Sequence, residues 1–127
     1  MSRAWQPRSD RPEAGPVVHL SLAEEVARLQ AEPAWREGDR NAITLTKRAG
    51  LRLVLTALRQ GAVLQEHRAP AAASVHVLSG RMVLRAGERP LELGPGDVVT
   101  MEAGLAHAAE ALADTAFLLT LAEGSSS

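Results

Sequence analysis

The sequence predicts an all-β domain, a sandwich or barrel of antiparallel strands preceded by one short helix. From residue 42 onward, short apolar runs are separated by turns containing Gly, Pro or Asp, at intervals of about ten residues. The chain has 127 residues, of which 46% are hydrophobic and 23% charged. This length suits a single domain, and this composition is close to the globular average. We therefore expect one folded unit rather than two domains or a disordered chain.

The two ends of the chain differ from this pattern. Residues 1–16 mix Arg, Pro, Ser, Asp and Gly with few apolar residues, and residues 124–127 read Gly-Ser-Ser-Ser. Such segments bury too little apolar surface to offset the conformational entropy lost on ordering. The sequence therefore predicts a disordered tail over 1–16 and a flexible end over 124–127.

A helix and a connector are expected over residues 17–41. Ser21 and Glu24 have the spacing of a capping box, and apolar residues follow at helical intervals. These signals predict a helix over Leu22–Ala31. Pro33 disfavours helical geometry in the residue before it, so the helix should end there. Trp35 then falls in the connector, where its large side chain is expected to anchor this segment on the barrel wall.

The barrel is expected to occupy residues 42–123. Its strands are predicted from apolar runs, and its turns from residues that favour turn geometry. The predicted strands are Ala42–Lys47, Leu51–Leu58, Ala62–His67, Ser74–Leu78, Met82–Ala86, Pro90–Leu93, Asp97–Met101, Ala108–Leu112 and Thr115–Ala122.

Charge and cysteine content exclude several classes of function. The net charge of −1 gives no basic footprint for nucleic acid or an anionic membrane. The chain has no cysteine, which excludes disulfides, thiolate metal sites and cysteine nucleophiles. It also has no apolar run long enough to cross a membrane and no apolar region typical of a secretory signal near its start. We therefore expect a cytoplasmic protein that binds neither nucleic acid nor membranes.

Two segments carry glycines and histidines at characteristic spacings. The residues concerned are Gly61, His67 and Gly80 in the first segment, and Gly96, Gly104 and His107 in the second. Over residues 61–111, these positions resemble the two motifs of the cupin superfamily, G-x5-H-x-H-x3or4-E-x6-G and G-x5-P-x-G-x2-H-x3-N. The resemblance implies a jelly-roll barrel with a site near His67 and His107.

The resemblance also implies a divalent metal ion, because metal-binding cupins hold one with three histidines and a glutamate. Here Ala69 and Ala73 occupy two of those four positions, so His67 and His107 are the remaining candidate ligands. His76 is a third candidate if strand register is broken near Pro70. However, the flanking valines have the parity of core-facing residues, which favours an outward His76.

Three functions remain open from the sequence. The first is a binding module whose apolar pocket, lined by Met101 among others, contains His67 and His107 and takes a small apolar or weakly acidic molecule. The second is a metal-dependent enzyme of oxygenase or isomerase type, with a divalent ion on His67, His107 and His76. The third is a non-catalytic structural or regulatory protein. The sequence assigns no catalytic residue, and a homodimer is expected in all three cases.

Overall fold

The computed structural model describes residues 15–122, which contain two helices and nine strands. The predicted flexible end, and all of the predicted tail except Gly15 and Pro16, lie outside the described residues. Helix α1 spans Leu22–Ala31, as the sequence predicts. The Ser21 side chain caps it by accepting a hydrogen bond of 3.3 Å from the backbone N–H of Glu24.

A second helix, α2, spans Pro33–Glu37 where only a connector was predicted. Proline does stop α1, but it also suits the first turn of a new helix, where its missing N–H would have no partner in any case. Trp35 on this helix is buried, which confirms its expected anchoring role. The Arg59 guanidinium lies 4.3 Å from the centre of the Trp35 ring and donates hydrogen bonds to the Trp35 carbonyl at 3.0 and 3.2 Å.

Every predicted strand has a counterpart in the structure. The strands are β1 (Arg40–Arg48), β2 (Leu51–Leu58), β3 (Val63–Arg68), β4 (Ala73–Ser79), β5 (Met82–Ala86), β6 (Arg89–Leu93), β7 (Val98–Met101), β8 (Ala106–Ala111) and β9 (Thr115–Leu121). They form a five-stranded sheet in the order β1-β2-β9-β4-β7 and a four-stranded sheet in the order β3-β8-β5-β6. All described pairings are antiparallel. The predicted all-β jelly roll is thus confirmed, with one more short helix than expected.

Two apolar clusters hold these layers together. The first lies between the sheets and includes Val77 and Phe117 from the five-stranded sheet and Leu84 from the four-stranded sheet. The second lies between the helices and the outer face of the five-stranded sheet, where Leu29 and Trp35 are among the members that pack on β1 and β2. The helices therefore cover part of one sheet from outside, and the space between the sheets remains the interior of the barrel.

Candidate ligand site around a histidine pair

Two histidines face each other at one end of the barrel interior. His67 on β3 and His107 on β8 are directly paired across the strands, and their ring centres lie 4.2 Å apart at an interplanar angle of 60°. His107 alternates with Ala109 and Ala111, both of which belong to the cluster between the sheets. His107, and the His67 ring packed against it, therefore lie on the interior face. The structure brings together the two histidines that the sequence singled out.

A β-bulge in β3 turns His67 toward the interior. Leu64 pairs with Ala109 and His67 with His107, so three residue steps on β3 match two steps on β8. Leu64 already packs against the interior cluster. Strict alternation would send one of Leu64 and His67 outward, but one extra residue lets both face inward. Glu66, the residue between Gln65 and His67 in this bulge, is exposed.

Each imidazole is oriented by a backbone carbonyl. Nδ1 of His107 lies 3.0 Å from the Leu105 carbonyl oxygen, and Nδ1 of His67 lies 3.3 Å from the Gln65 carbonyl oxygen. A carbonyl only accepts hydrogen bonds, so in both contacts Nδ1 carries the hydrogen. In the neutral ring, the lone pair is then on Nε2. The site can therefore present two Nε2 acceptors, either to a ligand that donates a hydrogen bond or to a metal ion.

Apolar side chains lie near the pair on the interior side of its sheet. Ala86 on β5 is the cross-strand partner of His107. Leu64 precedes His67 by three residues, Leu105 precedes His107 by two, and both pack against the interior cluster. Met101, predicted to line a pocket, lies on β7 in the facing sheet and is only 6% exposed. It belongs to the core at the end of the barrel that holds the pair. His107 is half-buried and His67 is exposed, so the pair lies at the mouth of the barrel.

The described residues do not fit a metal centre with three or more protein ligands. His76 lies on β4 between Val75 and Val77, both of which face the interior cluster, so its side chain is on the outer face. Within residues 15–122, no three His, Asp or Glu side chains are grouped so that they could hold a metal ion. First-row metal sites usually need at least three protein ligands, and the pair provides two.

A groove of about 580 Å³ lies at the same end of the five-stranded sheet. Residues from β2, β4, β7 and β9 line it, among them Leu51, Ser74, Thr100 and Thr120. Neither His67 nor His107 takes part. The groove therefore shares Met101 with the predicted pocket, whereas the histidine pair lies outside it.

Two arginines near the pair were missed by the sequence analysis. Arg68 follows His67 directly and donates a hydrogen bond of 2.8 Å to the Gly104 carbonyl, two residues before Ala106 begins β8. Arg89 begins β6 and pairs with Ala86, the neighbour of His107. A signal was present in the second case, because Gly87 and Glu88 form a two-residue turn that makes Ala86 and Arg89 cross-strand partners. The contact of Arg68 with the loop before β8 has no comparable signal in the sequence.

Comparisons with known proteins agree with this architecture. The family model described as "Cupin domain" matches residues 54–122. No curated protein is a significant match to the sequence. In addition, no helix within the described part of the chain is long and apolar enough to span a membrane.

Three solved structures illustrate the likeness. A conserved protein of unknown function from Streptococcus pyogenes has a TM-score of 0.67 at 21% identity, and the alignment covers 95% of this chain and 98% of that one. An RmlC-like cupin from Shewanella frigidimarina has a TM-score of 0.65 at 17% identity, with 70% and 80% covered. Salicylate 1,2-dioxygenase from Pseudoaminobacter salicylatoxidans has a TM-score of 0.69 at 12% identity, with 80% and 31% covered. At these identities the likeness concerns the fold alone.

Proposed function

Since the chain belongs to the cupin domain family, we propose that it is a binding module that holds a small, largely apolar molecule at the mouth of its barrel, against His67 and His107. The single observation that carries this proposal is the paired orientation of the two imidazoles. Both use Nδ1 on a backbone carbonyl, so both can offer Nε2 to the same small volume. A ligand with a hydroxyl or protonated acid group would find two acceptors within reach.

The surroundings of the pair support an apolar body for this ligand. Ligand sites combine a mostly apolar lining with a few placed polar groups that fix orientation. Here Ala86, Leu64 and Leu105 supply apolar surface on the same face as the pair. The two imidazoles supply the polar groups. This combination favours a weakly acidic or hydroxyl-bearing organic molecule over a sugar, which would need a denser set of polar partners.

The metal-dependent alternative, an oxygenase or isomerase with a divalent ion, receives less support. It requires a third protein ligand close to the pair, and His76 is on the other side of its sheet. Ala69 and Ala73 leave the other motif positions without a donor side chain. No described contact favours the third alternative, a purely structural role. For these reasons we place the ligand-binding module first.

The test is a small-molecule screen by two-dimensional NMR on chelator-treated protein, followed by titration of the best hit. His107→Ala should weaken that hit because one acceptor is lost, by about 1 kcal/mol or roughly fivefold. His67→Ala should do the same. His76→Ala is the matched control, since it removes an imidazole from the outer face, and it should leave the affinity unchanged. Equal affinities in all three variants would overturn the proposal.

Elemental analysis of untagged protein adds an independent readout. If the site works without metal, the protein should contain no bound divalent ion. Chelation should then change neither the ligand affinity nor the melting temperature of the protein. A near-stoichiometric divalent ion, together with a melt that falls on chelation, would contradict the metal-free module and favour the enzyme alternative.

A further inference from the structure

The row of interior residues that holds the histidine pair continues across the whole four-stranded sheet. His67 pairs with His107, His107 with Ala86, and Ala86 with Arg89. This row therefore contains one side chain from each of β3, β8, β5 and β6. It ends in a guanidinium group on the edge strand, at the end of the barrel where the pair lies.

The register puts Arg89 on the interior side of β6. Leu93 belongs to the cluster between the sheets and Leu91 packs against it, so alternate residues of this strand face inward. Arg89 has the same parity. Glu92 has the opposite parity and pairs with Arg81 at 2.7 Å. Arg89 is exposed because the row lies at the mouth of the barrel and not in its centre.

Arg89 has no described partner for its charge. Other arginines are engaged: Arg81 with Glu92, and Arg40 with Asp39 at 2.8 Å, a contact that holds the pKa of the Asp39 carboxyl below its ordinary value. Within residues 15–122, the Arg89 side chain makes no hydrogen bond or ion pair. A guanidinium without a partner, on the same row of the sheet as two hydrogen-bond acceptors, is suited to a carboxylate, which it can bind through two parallel hydrogen bonds.

The spacing limits the size of such a ligand. Neighbouring strands lie about 4.8 Å apart, so the backbone at Arg89 is about 10 Å from that at His107. The residue between them is Ala86, whose single methyl group leaves the space above it open. A molecule of about the length of benzoate or a six-carbon acid can therefore bridge this interval.

We propose that Arg89 is the anion anchor of the site, so that the preferred ligands are small organic carboxylates with the carboxylate on Arg89 and the body over Ala86, next to the imidazoles. This inference rests on the proposed function, since it names the ligand class of that site. It adds a residue from β6 that neither histidine motif contains. It also predicts that charge, and not only shape, decides which molecules bind.

Matched pairs of probes test the proposal. Benzoate is compared with benzamide, and hexanoate with hexanamide, because each pair differs mainly in charge. In the wild-type protein, each carboxylate should bind about tenfold more tightly than its amide, as expected for a hydrogen-bonded charge pair. Arg89→Ala should reduce this ratio to near one, and Arg89→Lys should restore part of it, because a lysine supplies charge without the planar fork.

Arg85→Ala is the matched control. Arg85 lies in the same hairpin and is also exposed, but it has outward parity between Leu84 and Ala86. Its loss removes the same charge and should leave the ratio unchanged. Equal binding of acid and amide to the wild type, or an equal loss in both variants, would overturn the anchor role of Arg89. Amide binding that depends on His67 and His107 would then still support the proposed function, so the two failures can be told apart.

Discussion

Two glycines of the first motif have similar backbones but different surroundings. Gly61 has φ of 90° and Gly80 has φ of 89°, in the left-handed region that other residues avoid. A Cβ on Gly61 would meet nothing within 4 Å, whereas one on Gly80 would collide with the Asp114 carbonyl oxygen and with Thr115. A substitution at Gly61 therefore measures the cost of backbone strain alone, whereas one at Gly80 adds the cost of a steric clash.

This difference predicts unequal effects of the same substitution. Gly61→Ala should lower the free energy of unfolding by about 1–2 kcal/mol, the cost of a left-handed residue. Gly80→Ala should lower it by about 2 kcal/mol more, because the β4–β5 turn cannot make room without moving the backbone before β9. Urea unfolding of both variants and of the wild-type protein measures these free energies of unfolding. Equal losses would mean that the contact with Asp114 and Thr115 is relieved at no cost.

Arg68 connects the two histidine strands from outside the site. It donates to the Gly104 carbonyl, and the Gly104 N–H in turn donates to the Ala69 carbonyl, both at 2.8 Å. The next residue, Leu105, has the carbonyl that accepts from His107 Nδ1. We therefore expect Arg68 to position His107 through the loop before β8.

Arg68→Ala should therefore change the tautomer of His107. With the loop released, the Nδ1 hydrogen bond weakens and the ring should populate both neutral tautomers. The ¹⁵N chemical shifts of the imidazole report this directly, without any ligand. Arg68→Lys should restore part of the wild-type signal, and Arg85→Ala should leave it unchanged. Unaltered ring shifts in Arg68→Ala would show that Leu105 holds its position without Arg68.

At the scale of elements, the bulge in β3 is the feature that makes the site. It adds one residue between Leu64 and His67, and this extra residue allows both to face inward. Deleting Glu66 should remove the bulge and keep His67 opposite His107, since two residue steps would then match two on β8. Deleting both Gln65 and Glu66 leaves a single step, which should turn His67 outward.

Contacts between the two imidazoles distinguish these deletions. The single deletion should keep the nuclear Overhauser effects between the rings, and the double deletion should abolish them. Both variants retain Leu64 in the core, so loss of the fold is a separate result that circular dichroism detects. Ring contacts that survive in the double deletion would contradict the parity argument.

The elements show why the sequence predicts the strands better than the site. Period-two patterns and Gly or Pro turns depend on nearby residues, so the strands and α1 follow from the sequence alone. The bulge does not follow from the sequence. Leu64 and His67 are three positions apart, so regular alternation would turn only one of them inward, whereas a bulge between them turns both inward. Helix α2 was missed because Pro33 both ends one helix and begins the next. The Gly87-Glu88 turn pairs Arg89 with Ala86, but the alignment of that pair with the two histidines depends on register across four strands, which no local pattern contains.

At the scale of the whole molecule, the five-stranded sheet performs two tasks on its two faces. Its inner face supplies Val77 and Phe117 to the barrel core, and its outer face receives the helices through Trp35 and Leu29. The four-stranded sheet carries the histidine row without helix cover. The site is therefore built on one sheet, and the helices stabilise the other.

The free edges of the sheets lead to the prediction of a homodimer. Charged residues or proline protect most edge strands, for example Lys47 on β1, Arg68 on β3 and Pro90 on β6. Strand β7 pairs only with β4 among the described strands and carries no charge, and its Val98 is 57% exposed. A second copy that pairs along this edge would satisfy its free backbone groups. Light scattering at micromolar concentration should thus give twice the chain mass of 13.5 kDa.

Val98→Lys should shift this equilibrium to the monomer, because a lysine on an edge strand disfavours pairing with a second edge. Val63→Lys is the matched control: Val63 is 46% exposed but lies on the β3 edge, which already carries charges. The Val63→Lys protein should keep the mass of a dimer. A wild-type mass near that of a single chain would refute the dimer. An unchanged dimer in Val98→Lys would contradict pairing at β7 and would indicate an interface on another surface.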